Sequence, residues 1–201
     1  LIVVANHLSN ADPPILIIAF PRPLFFMGKS ELFRNPVLAF IVRKFGGFPV
    51  ERGSADRGAL RHGLAVLREG IPLGIFPEGG RSKSGAMVAG LPGVGLLALQ
   101  SGARVLPVGI TGTEVYPVNG DTPLKRPAGQ PRGVTVRFGQ PFEIPKRVDD
   151  QRVTADEATR LIMERVAELL PEAYRGVYST SASSSASSSS SSNSPARSAS
   201  R

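Results

Sequence analysis

The chain contains no cysteine. Disulfides, thiolate metal sites and a cysteine nucleophile are therefore excluded. The lack is consistent with a reducing cytoplasm, although it does not fix the compartment. Only two histidines occur, and no His-Glu-x-x-His is present, so a histidine-rich zinc site is not expected. Aromatic residues are sparse at 6% and no dense Lys/Arg block exists, which disfavours a surface built to stack nucleic-acid bases. No apolar run approaches the roughly 20 residues of a membrane span. The longest, such as Pro13–Phe20 and Val37–Val42, have the length of core helices. No signal peptide is visible. Three ligand motifs are also missing. Gly28-Lys29-Ser30 ends like a phosphate-binding loop, but Pro23 stands where the first glycine is needed. Gly90-x-x-Gly93-x-Gly95 reverses the order of the dinucleotide fingerprint, and there is no Gly-x-Ser-x-Gly elbow for a serine nucleophile.

What remains is an apolar chain with a basic surplus. The 201 residues carry a formal charge of +8. From Ser179 to Arg201 the sequence is nearly all serine, with Arg197 and Arg201 and no acid. Such a segment has no apolar surface to offset chain entropy and is expected to be disordered. Residues 1–178 suit one domain. With the two tail arginines set aside, the domain keeps +6. That charge suits a phosphorylated substrate or lipid headgroups better than nucleic acid, because it is spread over loops. The chain begins at Leu1 inside an apparent strand, so a preceding segment is expected to be missing.

Short apolar strands alternate with amphipathic helices, which predicts an α/β fold. Strands are expected at Leu1–Ala5, Leu24–Met27, Phe48–Val50, Ile71–Phe76, Arg104–Ile110 and around Val134–Phe138. Helices are expected from Pro13, over Pro36–Phe45, about 55–69, Gly93–Ser101, and from a Thr154-Ala155-Asp156-Glu157 capping box onward. In the last helix Leu161, Ile162, Val166, Leu169 and Leu170 should point inward. His62 lies off the apolar stripe of its helix and is expected at the surface.

Asn6-His7-Leu8-Ser9-Asn10-Ala11-Asp12 sits at a strand-to-helix turn, where open α/β sheets place chemistry. His7 with Asp12 has the parts of a general base and its orienting partner. By itself the spacing reads sooner as a capped turn, with Asp12 as N-cap, Pro13 at N1 and His7 filling the loop. Ser9 is assigned to loop hydrogen bonding. Three further segments follow or end strands: Gly47-Phe48-Pro49-Val50-Glu51-Arg52, Phe76-Pro77-Glu78-Gly79-Gly80-Arg81-Ser82, and Leu106-Pro107-Val108-Gly109-Ile110.

In this order the four segments resemble the motif blocks of the PlsC-like glycerolipid acyltransferases, the 1-acylglycerol-3-phosphate O-acyltransferases. The resemblance covers about residues 1–170. It departs at Gly80, where the family usually has Thr, and at Glu51, where Asp is commoner. It implies a single domain whose central sheet is mixed, mostly parallel and flanked by helices. It also implies acyl transfer from acyl-CoA or acyl-carrier protein to lysophosphatidate, making phosphatidate. Neither a metal nor a bound cofactor is implied. His7 is then the catalytic base and Asp12 its partner. Arg52 and Arg81 are the expected phosphate ligands, because guanidinium grips phosphate bidentately. Lys29 is a third candidate, and backbone N–H groups at Gly79-Gly80 offer an anion nest. Glu78 is expected to hydrogen-bond a glycerol hydroxyl or hold a neighbouring arginine. The plainer alternatives are a solvated Arg52, an internal Glu78–Arg81 ion pair, a merely exposed Lys29 or Lys83, and Pro107 shaping the end of a strand.

The resemblance places the enzyme at the cytoplasmic face of a membrane, and the basic charge with the apolar loop residues Met87, Val88 and Leu91 is expected to support that contact. Glycerol 3-phosphate or another lysolipid is an alternative acceptor. A non-catalytic lipid-phosphate-binding module and a serine hydrolase are alternatives of other classes.

Overall fold

The computed structural model describes residues 1–29, 47–50, 57–116 and 123–179. The expected helix over Pro36–Phe45 and the serine-rich tail beyond Ser179 lie outside these residues. In chain order the elements are β1 (Ile2–Ala5), α1 (Asp12–Ala19), β2 (Phe25–Lys29), β3 (Gly47–Val50) and α2 (Arg57–Arg68). There follow β4 (Leu73–Ile75), α3 (Gly93–Ser101), β5 (Val105–Thr111) and β6 (Thr135–Phe138). A short hairpin of β7 (Arg147–Val148) and β8 (Gln151–Arg152) precedes α4 (Ala155–Glu168), α5 (Glu172–Arg175) and a 3-10 turn (Gly176–Tyr178).

Six strands form one sheet in the order β3-β2-β4-β1-β5-β6. All neighbours run parallel except β5 and β6, so the sheet is mixed and mostly parallel, as expected. The central strand β1 pairs with β4 and β5, with Val3 opposite both Gly74 and Leu106. Its residues are buried throughout, because helices cover both faces. Ile2 and Val4 face one core with Leu73, Leu97, Ile162 and Val166. Val3 and Ala5 face the other with Leu16, Phe26, Val108 and Ile110. The period-two alternation of β1 thus divides the molecule into two layers of packing.

The helix boundaries follow from local chemistry. Proline in the first turn of α1 lacks an N–H that would have no partner there. At the end of α3, Gly102 turns left-handed (φ 63°) and its N–H closes on Ala98 O at 2.9 Å. The capping box before α4 is complete: Thr154 Oγ1 accepts from Glu157 N, and Glu157 Oε2 accepts from Thr154 N at 2.7 Å. Inward residues of α4 include Ile162 and Val166, as expected, and also Ala158, Thr159 and Met163; Leu161 and Leu169 are only half-buried. His62 is exposed, as expected. Pro107 lies within β5, opposite Val4, rather than at its end. It is tolerated there because ladder pairing with β6 starts one residue later, at Val108, and the Pro107 carbonyl accepts from Gly139 N.

Helices α3 and α4 touch at Gly95. Its N–H donates to Thr159 Oγ1 at 3.1 Å, and a Cβ there would lie 2.1 Å from the backbone oxygen of Ala155. Gly95→Ala must therefore separate two helices, an overpacking cost of about 2–3 kcal/mol. Thr154→Ala removes one cap, worth about 1 kcal/mol. Urea denaturation is expected to rank Gly95→Ala as the more destabilising, with the m-value unchanged in both.

Candidate active site

Strand β1 ends at Ala5, and the next residue extends its pairing by side chain. Asn6 Nδ2 donates to Ile110 O at 2.9 Å, and Asn6 Oδ1 accepts from Ile110 N at 2.7 Å. This reciprocal pair fixes the exit of the chain from the sheet beside β5. His7 follows, with its backbone clamped by the loop after β4. Its N–H donates to Glu78 Oε1 at 2.9 Å, and its carbonyl accepts from Ser82 N at 2.8 Å. The imidazole stacks on Phe76, with ring centroids 4.3 Å apart, and Phe76 in turn stacks on Phe26. Phe26 needs Gly74 beneath it, since a Cβ there would lie 2.5 Å from its ring. The histidine is 8% exposed, so its ring has one sterically defined place.

Asp12 opens α1 but does not cap it. Ala11 holds the cap position and makes no side-chain bond. The Asp12 carboxylate reaches backward instead. Its Oδ2 lies 2.9 Å from His7 Nδ1 and accepts from Leu8 N at 2.6 Å and Ser9 N at 2.8 Å. The carboxylate is fully buried, and its Oδ1 has no hydrogen bond among the described residues. The turn is closed by Asp12 N donating to Ser9 O and by Ser9 Oγ accepting from Ala11 N at 3.2 Å. Ser9 thus serves the loop, as expected. An ionised carboxylate only accepts hydrogen bonds, so the pairing favours the tautomer with the proton on Nδ1. Nε2 is then the basic nitrogen. This is the geometry of an oriented general base, not of a capped turn.

The remaining expected residues divide. Glu78 is 9% exposed, and both of its oxygens meet backbone amides, Oε1 that of His7 and Oε2 that of Val88 at 3.3 Å. These two N–H groups are partners that the sequence reading did not name. Burial pushes its carboxyl up to about 7; the two amide bonds oppose this, and the nearby Asp12 charge adds to it. Gly79 is left-handed (φ 69°), and a Cβ there would meet Leu91 Cδ1 at 2.6 Å. Its N–H is already spent on Phe76 O at 3.2 Å, which removes one donor from the expected anion nest. Arg81 is exposed on the same loop, next to Ser82. Lys83 is exposed, as expected. Lys29 ends β2 in register with Val50, at the sheet edge where β1 delivers His7. Glu51 and Arg52 lie outside the described residues.

The sequence reading missed Phe76 and Asn6 as supports of the base. Both were visible as motif letters, yet only packing and the β1–β5 pairing give them a task. Of the three residues expected to touch lipid, Met87 is 1% exposed and belongs to the core with Tyr174, so it is unavailable. Val88 and Leu91 remain exposed. A different apolar surface is open: a groove of about 520 Å³ lined by Ala11, Ile15, Ile18, Tyr116, Val134 and Val136. Ile18, on the outer side of α1, is 84% exposed.

Comparison with known proteins identifies the family. The acyltransferase family profile matches residues 1–111, which include His7, Asp12, Glu78 and all of β5. A 1-acyl-sn-glycerol-3-phosphate acyltransferase of Streptococcus pneumoniae is 31% identical over 82% of this chain and 57% of its own length. A lyso-ornithine lipid O-acyltransferase of Pseudomonas aeruginosa is 34% identical over 54% of this chain and 42% of its own. The chain thus spans about half the length of the curated relatives it matches. The crystal structure of the 1-acyl-sn-glycerophosphate acyltransferase PlsC from Thermotoga maritima superimposes with a TM-score of 0.59 and 29% identity, covering 84% of this chain and 65% of that one. With the profile spanning more than half of its residues and the buried His7–Asp12 pair at the carboxyl edge of the sheet, this chain belongs to the acyltransferase family.

Proposed function

We propose that the protein transfers a fatty acyl group from acyl-CoA or acyl-carrier protein to the free hydroxyl of lysophosphatidate, yielding phosphatidate. The observation that carries this reading is the 2.9 Å contact between His7 Nδ1 and Asp12 Oδ2, with Asp12 itself fixed by two backbone amides. His7 Nε2 takes the proton of the acceptor hydroxyl as its oxygen attacks the thioester carbonyl. Asp12 stabilises the imidazolium that forms. Collapse of the tetrahedral intermediate breaks the C–S bond, and the imidazolium returns its proton to the departing thiolate. The acceptor is the nucleophile, so no acyl-enzyme is needed. The reading uses no metal and no bound cofactor.

Arg81 and Arg52 would hold the acceptor phosphate, with Lys29 as a third candidate. The apolar groove is lined in part by Ala11, the residue before Asp12, and suits a substrate with a hydrocarbon chain. A lipid acceptor and product place the reaction at a membrane surface, on the cytoplasmic face that acyl thioesters reach. No helix among the described residues is long and apolar enough to cross a membrane. The acceptor is the finer part of the proposal. The Pseudomonas aeruginosa relative is named for a lyso-ornithine lipid, so a lysolipid without phosphate belongs in the same test.

Thiol release from acyl-CoA, or from an acyl-carrier protein whose only thiol is its prosthetic arm, tests the reading directly. The chain has no cysteine and adds no background. Release is expected only with an acceptor present, fastest with lysophosphatidate. Release without any acceptor would instead mark a thioesterase. His7→Ala should lower turnover by on the order of 10²–10⁴ while the protein stays folded. Wild-type turnover in that variant would refute the mechanism. Asp12→Asn keeps the shape but offers an amide where the ring and two N–H groups need acceptors. A comparable loss of kcat, roughly 10²–10⁴, is expected with little change in acceptor KM.

A further inference from the structure

We propose that Glu78 is a positioning residue. Its carboxylate spans the backbone N–H groups of His7 and Val88, and so sets the base loop against the 79–91 segment instead of binding acceptor. The inference rests on the acyltransferase reading above and names a working part of that same site.

The two amides come from segments that share no helix or strand. His7 lies 71 residues before Glu78, and Val88 lies 10 after it. A carboxylate carries lone pairs on two oxygens and can accept on both sides at once. No other ionised side chain of this size does so without also donating. The neighbouring contacts hold the same parts. Ser82 N donates to His7 O at 2.8 Å, Leu91 N to Pro77 O at 2.7 Å, and Met87 N to Tyr174 O at 2.8 Å. Among these, only Glu78 joins the base loop to the far half of the segment. It is also nearly closed to solvent.

Among the charged and titratable groups that act on or feel Glu78 are Asp12 from the start of α1 and Tyr178 from the 3-10 turn. The Asp12 charge opposes the ionisation of Glu78. The contact with Val88 is the longer of the two, 3.3 against 2.9 Å, so a proton is received on Oε2. Oε1 then still accepts from His7. Protonation loosens Val88 first and reaches the base through the remaining bond.

The test uses the full chain and two variants. Glu78→Gln keeps one acceptor but turns an NH₂ toward an N–H. Glu78→Asp restores the charge but is too short to reach both amides. Both are expected to lower kcat by about 10–100-fold, the scale of a small misplacement of a catalytic group, with acceptor KM within about twofold. A rise in acceptor KM in either variant, with or without a loss of kcat, would overturn the proposal and return Glu78 to substrate binding. A second readout needs no activity. In wild-type protein the amide resonances of His7 and Val88 should shift together with pH, with one midpoint at about 7. In Glu78→Gln the shared shift should vanish. Independent or absent shifts in wild type would overturn the tie even if both variants failed to fold. Wild-type protein that transfers to no acceptor would sink the acyltransferase reading instead, and the amide titration would still decide the role of Glu78.

Discussion

The Asp12 carboxylate is the anchor on which the rest of the site depends. One oxygen gathers the His7 ring and the amides of Leu8 and Ser9. Those amides belong to the loop that carries the histidine, so the group that orients the ring also shapes the loop. A side chain that merely touched Nδ1 would leave the backbone free to carry the ring elsewhere. The position of Asp12 at the first residue of α1 adds the positive end of the helix, which favours negative charge there. Three independent effects therefore hold one carboxylate, and it holds one imidazole. Such pre-organisation is what general-base catalysis needs, since the ring does not have to be reordered at the moment of transfer.

That anchor is set on the sheet beneath it. β1 is buried on both faces, and Asn6 continues its pairing with β5 for one more residue. Behind the ring, Gly74, Phe26 and Phe76 form a stack that ends on the imidazole. Strand β4 supplies Gly74, β2 supplies Phe26, and His7 follows β1, so the parallel sheet is the common frame of the loop that carries the histidine. Removing side-chain volume at any of these places would be felt at the ring, because protein interiors are packed without slack.

Much of this was legible in the residues. Alternating strands and helices were enough for the α/β class, and the Thr154–Glu157 box located the start of α4 to the residue. Gly93–Ser101 likewise matched its helix at both ends. These features are local: a cap, a stop, a period. The His7–Asp12 pair was legible only in company, since the same spacing serves a helix cap. What decided between them is a direction, the backward reach of Asp12 past Ala11, which no spacing encodes. Met87 shows the opposite failure. In sequence it lies in a polar, glycine-rich loop and reads as exposed. Its burial depends on Tyr174, which is remote in the chain and whose carbonyl accepts its N–H. The partners of Glu78 were hidden for a similar reason. They are backbone amides, and backbone groups leave no letter in a sequence.

Glu78 also shows where function and stability diverge. Its carboxyl is raised to about 7 chiefly by burial, from an ordinary value of 4.5. A carboxyl raised in the folded state binds a proton there more tightly than in the unfolded chain. Its contribution to stability is therefore fully present below about pH 4.5 and is lost as the pH rises to about 7. Near neutrality the ionised group weighs against the fold, and an apolar residue of similar volume in the same pocket would avoid that cost. Two N–H groups on converging loops, however, require an acceptor with two faces. A carboxylate provides it at the expense of desolvation. The fold thus accepts a buried anion where two loops must be joined around a base, and the same geometry that weakens stability is what holds His7 to Val88.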